Sequence, residues 1–126
     1  MGAPPSKKSL EIGSYVANLA IRSGIRMKII GSTDLTHYGS NYAFTPKGSG
    51  KEALDWVKKE NDRKVIDAML EMDAEKVISE GLSSQNACCS GAAAAAISAG
   101  KQLGAQKARL ISYSTSHDKS PGESFV

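Results

Sequence analysis

Histidine and cysteine are scarce in this sequence, two of each, and the two cysteines are neighbours. No Cys-x-x-Cys or His-x-x-x-His pair occurs, so no complete metal site of familiar spacing lies within the chain. A disulfide framework is excluded as well. Joining Cys88 to Cys89 would close a strained ring, so both are expected reduced, in a cytoplasmic setting. Long apolar runs are lacking: nothing approaches the roughly 20 residues a membrane span needs, and the opening MGAPPSKKSLE has no apolar core of a secretory signal. Neither sign of charge dominates. The net charge is +3, with the basic residues scattered and only 6% aromatics, so no basic stripe interleaved with aromatics invites nucleic acid. What remains is an ordinary globular composition, 40% apolar and 23% charged, in 126 residues, enough for one domain or a piece of one.

Apolar residues at helical spacing from Leu10 to Ala20 predict a helix, with Ser9 as its N-cap and Gly24 as its stop. Ile25 to Ile30 is short and β-branched and reads as a strand turning at Gly31. Leu35 to Gly50 reads as a long polar loop. Helical periodicity returns from Ala53 to Leu70, Asp73 opens a short helix closed by Gly81, and Gly91 to Leu103 forms an alanine-rich helix capped by Gly104. Lys107 to Tyr113 reads as a second strand, and Phe125-Val126 as the start of a third that is cut off, so the chain is expected to be incomplete. Strands separated by helices imply an α/β fold, a mostly parallel sheet flanked by helices. Two strands make no stable sheet by themselves.

Lys51 in GSGKE invites a phosphate-loop reading, which fails because Thr45 and Glu52 stand where that motif needs Gly and Ser or Thr. SGAAAAA reads as a small-residue helix packed closely on a sheet rather than as an anion site. Asp34 and His37, in STDLTHYG, fall where the first strand ends, the usual ligand edge of an open α/β sheet. A turn-capping Asp34 with a surface His37 fits the pattern equally well. Cys88 and Cys89 precede the alanine-rich helix, where the helix dipole favours a thiolate, although small cysteines are commonly inert packing residues. His117, beside Asp118, reads as an exposed loop residue.

STDLTHYG, then ENDRKVIDAMLEMDAEKVISEG, then NACCSGAAAAAISAGKQLGAQKARLISYSTSHDKSPGESFV together resemble the C-terminal half of the Memo family. The resemblance runs in order from about Met27 to Val126. It implies that residues 1–126 are the C-terminal portion of a Memo-like domain, with the fold of the class III extradiol dioxygenases and without the N-terminal half. It further implies a metal held by two histidines from that half and by the cysteine of N-x-x-C, which falls on Cys89. Asp34 and His37 would line the same pocket as the catalytic pair, His37 as acid/base and Asp34 orienting it. The family's usual Cys-Gly is replaced here by Cys89-Ser90-Gly91, and Cys88 is extra. A divalent metal (iron, copper or zinc) is therefore expected in the complete protein and none tightly bound by this chain alone. The expected partner is the N-terminal half, or a chain supplying it, with a small molecule or peptide in the pocket. Two functions stay open: a non-haem, dioxygenase-like redox site, and a non-catalytic adaptor whose pocket holds a peptide or a small anion.

Overall fold

Ser6 opens the first helix of the computed structural model, which describes residues 5–126. Its hydroxyl accepts the Lys8 N–H at 3.4 Å and caps α1, Lys7–Arg22. Gly24, at φ +65°, ends the helix: its N–H donates to the Ile21 carbonyl and that of Ile25 reaches back to Ala20, a glycine stop that spares a Cβ the left-handed strain. A second helical run, Lys51 to Leu70, starts as α2 (Lys51–Trp56), widens into one π-turn (Val57–Asn61), and continues as α3 (Asp62–Leu70). The Asp73 carboxylate accepts the Lys76 N–H at 3.0 Å to open α4, Ala74–Ser84. Helix α5, Ser90–Gln102, ends at Gly104 with φ +97°.

Helices α1 and α5 run in the same direction. Ser14 meets Ser98 (2.8 Å between hydroxyls) and Asn18 accepts from Gln102 at 2.8 Å. The buried face of α1 is Gly13, Ala17 and Ala20, and Gly13 lies against Ala95 of α5. Small residues let two backbones approach, and a Cβ on Gly13 would stand 2.2 Å from the Ala95 carbonyl oxygen. The alanine-rich stretch is thus a packing surface, as its sequence suggests, but it packs on helices rather than on a sheet. On propensity alone, Gly13→Ala would stabilise a helix by about 1 kcal/mol. Here the added methyl forces the helices apart, and the expected result is a loss of about 1–3 kcal/mol, read as a lower thermal midpoint. An unchanged or raised midpoint would show that the contact relaxes freely.

The expected mostly parallel sheet is absent. Among the described residues the only ladder contacts are two isolated antiparallel bridges, Tyr38 with Phe125 and Gly39 with Phe44. No backbone hydrogen bond joins 25–33 to 107–114. Both segments lack regular structure and are largely uncovered, Ile30 being 92% and Ile111 89% exposed. The physical reason is that β-branched content describes a residue suited to a pleated surface and does not supply the neighbour whose N–H and C=O groups complete a ladder. Phe125 likewise forms a single bridge, not the start of a strand. The large apolar residues of α1 (Ile12, Tyr15, Val16 and Leu19) also point outward, so the helix buries its small side chains and exposes its large ones.

Two cores result. Val65, Ala68, Val77, Ile78, Ala93 and Ala94 join α3, α4 and α5. A smaller aromatic core forms inside the segment expected to be a polar loop: Tyr38 is buried, stacked on Phe125 with ring centroids 5.3 Å apart, and flanked by Phe44 and Trp56. Among the described residues no helix is long and apolar enough to cross a membrane.

Candidate functional site

The loop from Thr33 to Tyr38 is fixed from below by a buried polar network. Asn61, the last residue of the π-turn, and Asp62 lie four and three residues before the buried Val65, so both share its inward face. Asp62 Oδ1 accepts both the Thr36 N–H (3.0 Å) and the Thr36 hydroxyl (2.5 Å), while Oδ2 accepts the Tyr113 hydroxyl at 2.6 Å. Asn61 Nδ2 donates to Thr36 Oγ1 and to the Ser84 carbonyl, both at 3.0 Å, and Asn86 Nδ2 donates to the Asn61 carbonyl at 2.9 Å. Partial burial first, and then the Asp62 carboxylate, hold the Tyr113 phenol well above its ordinary range, so it serves as a donor. Thr36 sits between Asp34 and His37 in sequence, and Asn86 two residues before Cys88. The network therefore anchors both halves of the layer above it.

That upper layer joins two turns. The Cys88 N–H donates to the Asp34 carbonyl (3.1 Å), and the Cys89 N–H donates to Thr33 Oγ1 (2.9 Å). A carboxylate oxygen of Asp34, a ring nitrogen of His37 and the Cys88 sulfur then lie within 4.8 Å of one another. His37 Nε2 is 3.4 Å from Asp34 Oδ2. The Asp34 side chain is 66% and the His37 side chain 35% exposed, so both reach solvent. Among the described residues no lysine or arginine lies within ion-pair reach of Asp34. The His37 ring leans on Tyr42, 4.8 Å between centroids, beside an open depression of about 310 Å³ floored by Leu35, Phe44 and Ala87.

The structure thus brings Asp34 and His37 together, as the sequence suggests, and sets Cys88 closest to them. Cys89 is the N-cap of α5, with its sulfur 3.7 Å from that of Cys88. Both cysteines are free and exposed. The hydrogen-bonded neighbour Cys88, with a smaller part from Asp34, pushes the Cys89 thiol upward. His117 lies in a turn, Ser116–Asp118, with its ring edge-on to Phe125 and away from this cluster. Asp118 there is held down to about 2, first by Lys58 and then by the Thr115 N–H. Sequence reasoning misses Asn61, Asp62 and Tyr113 as parts of the site. The available signal is a polar Asn-Asp pair on the face that Val57 and Val65 mark as buried.

An oxygen, a nitrogen and a sulfur donor within reach of one ion make a borderline-soft set suited to a late first-row metal. Ligand atoms 2.0–2.1 Å from a tetrahedral ion lie roughly 3.4 Å apart, the separation found between Asp34 and His37. The Asp34–His37 pair thus has the spacing such an ion needs, with the Cys88 sulfur within 4.8 Å of both.

A family model described as Memo-like protein matches residues 1–126. A MEMO1 family protein of Methanosarcina acetivorans is 36% identical over 128 residues, covering 100% of this chain and 42% of the relative. One of Methanosarcina barkeri is 32% identical over 95% of this chain and 40% of its own length. One of Methanocaldococcus jannaschii is 35% identical over 87% of this chain and 34% of its own. The chain therefore spans about two fifths or less of the relatives it matches. No solved structure matches it.

Proposed function

This chain belongs to the Memo-like protein family, and we propose on that premise that it binds a transition-metal ion through Asp34, His37 and Cys88. The convergence of three different donor types within 4.8 Å carries the reading. When bound, iron or copper supplies redox chemistry, and zinc supplies Lewis-acid polarisation. The chain's own residues do the rest. The Asp62 network holds Thr36 and with it the Asp34–His37 turn, Tyr42 fixes the His37 ring, and the Leu35–Phe44 depression receives the apolar part of a small molecule. The remaining length of a Memo-like domain supplies further ligands and covers the outward residues of α1 and the exposed stretches around Ile30 and Ile111.

Titration of the reduced chain with Zn²⁺ against a chromophoric chelator tests it. One ion per chain is expected, with affinity lowered roughly tenfold or more by Cys88→Ser and by His37→Ala, the low end of what loss of even a supporting residue costs a metal site. A His37→Ala protein that keeps full affinity would return His37 to the acid/base role, and equal affinity of all variants would remove the metal altogether.

A further inference from the structure

His37 and Tyr38 serve different hollows, as neighbours in extended backbone do when they point to opposite faces. His37 lines the depression at the donor cluster, and Tyr38 lines a second hollow of about 500 Å³. Small-molecule sites run to roughly 300–1,000 Å³ and are mostly apolar, with a few placed polar groups. Here Ala53, Leu54 and Phe125 join Tyr38 as the apolar floor, and Lys51, His117 and Glu123 form the polar rim. Both walls are fixed on Tyr38. Its hydroxyl donates to the Gly48 carbonyl at 2.9 Å and accepts the Lys47 N–H at 3.0 Å, which holds the turn leading into Lys51. Its ring stacks on Phe125, and the next residue, Val126, exchanges two hydrogen bonds with Ser116 (2.7 and 3.0 Å). Asp118 accepts the Thr115 N–H at 2.8 Å and pairs with Lys58, so His117 stands on a turn pinned at both ends. A hollow with walls already ordered costs little conformational entropy to fill.

We propose that this hollow binds a small zwitterion with an apolar body, of the class of the free apolar amino acids. Its carboxylate meets Lys51, its ammonium meets Glu123, and its side chain lies over Leu54, Phe125 and the His117 ring. The charges on the rim carry the choice of ligand. None of the ion pairs among the described residues includes Lys51 or Glu123, although both border the hollow. An uncharged apolar ligand would leave both charges beside it without a partner. A ligand of one sign would satisfy one charge and sit against the other, and such mismatches are how a site rejects a wrong ligand. The site is separate from the metal-binding reading and does not depend on it.

Four probes share one ring: L-phenylalanine, 3-phenylpropanoate (no ammonium), phenethylamine (no carboxylate) and N-acetylphenylalaninamide (neither charge). Each is titrated into the full chain while the backbone amide signals of Ala53, Leu54 and Phe125 are followed by NMR. Saturable shifts at these residues are expected, with L-phenylalanine binding tightest and the capped compound weakest. Lys51 and Glu123 are exposed, so glutamine at either position leaves the core intact. Lys51→Gln is expected to weaken L-phenylalanine and 3-phenylpropanoate roughly threefold to fivefold, the worth of about one exposed charge pair, and to spare phenethylamine. Glu123→Gln is expected to weaken L-phenylalanine and phenethylamine and to spare 3-phenylpropanoate. No saturable shift with any probe, or shifts centred elsewhere on the chain, would overturn the site. Capped and free phenylalanine binding equally well, or either variant weakening all four probes alike, would overturn the recognition of a zwitterion.

Discussion

Asp62→Ala is expected to destabilise the protein by about 2–4 kcal/mol. One carboxylate accepts three hydrogen bonds at the centre of the molecule, and Thr36, which gives two of them, is wholly buried. An alanine leaves the Thr36 N–H with no acceptor, and a buried donor without one costs about 1–3 kcal/mol. The partly buried Tyr113 hydroxyl adds less, because it can turn towards water. Asp62→Asn separates geometry from charge: its carbonyl keeps both bonds from Thr36, and the Tyr113 hydroxyl rotates to accept from the amide, so about 1 kcal/mol is lost. Urea unfolding checks this, with the midpoint moving and the slope unchanged. A midpoint for Asp62→Ala within error of wild type would mean that the network only decorates the fold. Because Thr36 lies between Asp34 and His37, metal affinity should fall with stability in the alanine variant and much less in the asparagine one.

Tyr38→Ala should cost about 3–5 kcal/mol, as buried aromatic truncations do. Its ring stacks on Phe125 and meets Phe44 and Trp56, its backbone exchanges two hydrogen bonds with Phe125 (2.8 and 2.9 Å), and its hydroxyl donates to the Gly48 carbonyl and accepts from the Lys47 N–H. The smaller core has few other large members, so nothing replaces it. Tyr38→Phe keeps the stack and loses only the hydroxyl's partners, a loss of about 1 kcal/mol. Calorimetry of the two variants tests the ranking. Equal losses would place the energy in the hydroxyl, contrary to the packing.

The helices were legible because their signals are local. Asp73 and Gly104 cap where their types predict, while Ser6 takes the place of Ser9 at the first helix start. Gly81 misleads: it lies inside α4, where a Cβ would meet Ser90 at 2.5 Å, and Gln85 at φ +50° ends that helix instead. The glycine signals a close approach, and sequence does not separate that from a stop. The expected sheet failed for the opposite reason, since a ladder depends on a partner segment that residues 25–33 and 107–114 do not give each other. Of the site, Asp34 and His37 could be found from their place in a turn. The convergence of Cys88 with them required a fold that joins residues more than fifty positions apart. Asp62 was hidden because a charged residue in a helix reads by default as a solvated one.

The π-turn at Val57–Asn61 has a consequence for descent. A wide turn is how a helix absorbs one surplus residue without swinging its later turns to another face. Loss of a single codon among Lys58, Lys59 and Glu60, none of them buried, would restore ordinary winding while Val57 and Val65 kept facing inward. Asn61 and Asp62, four and three residues before Val65, would keep facing inward with it. Relatives could differ by that one residue and still keep the anchor beneath Asp34 and His37.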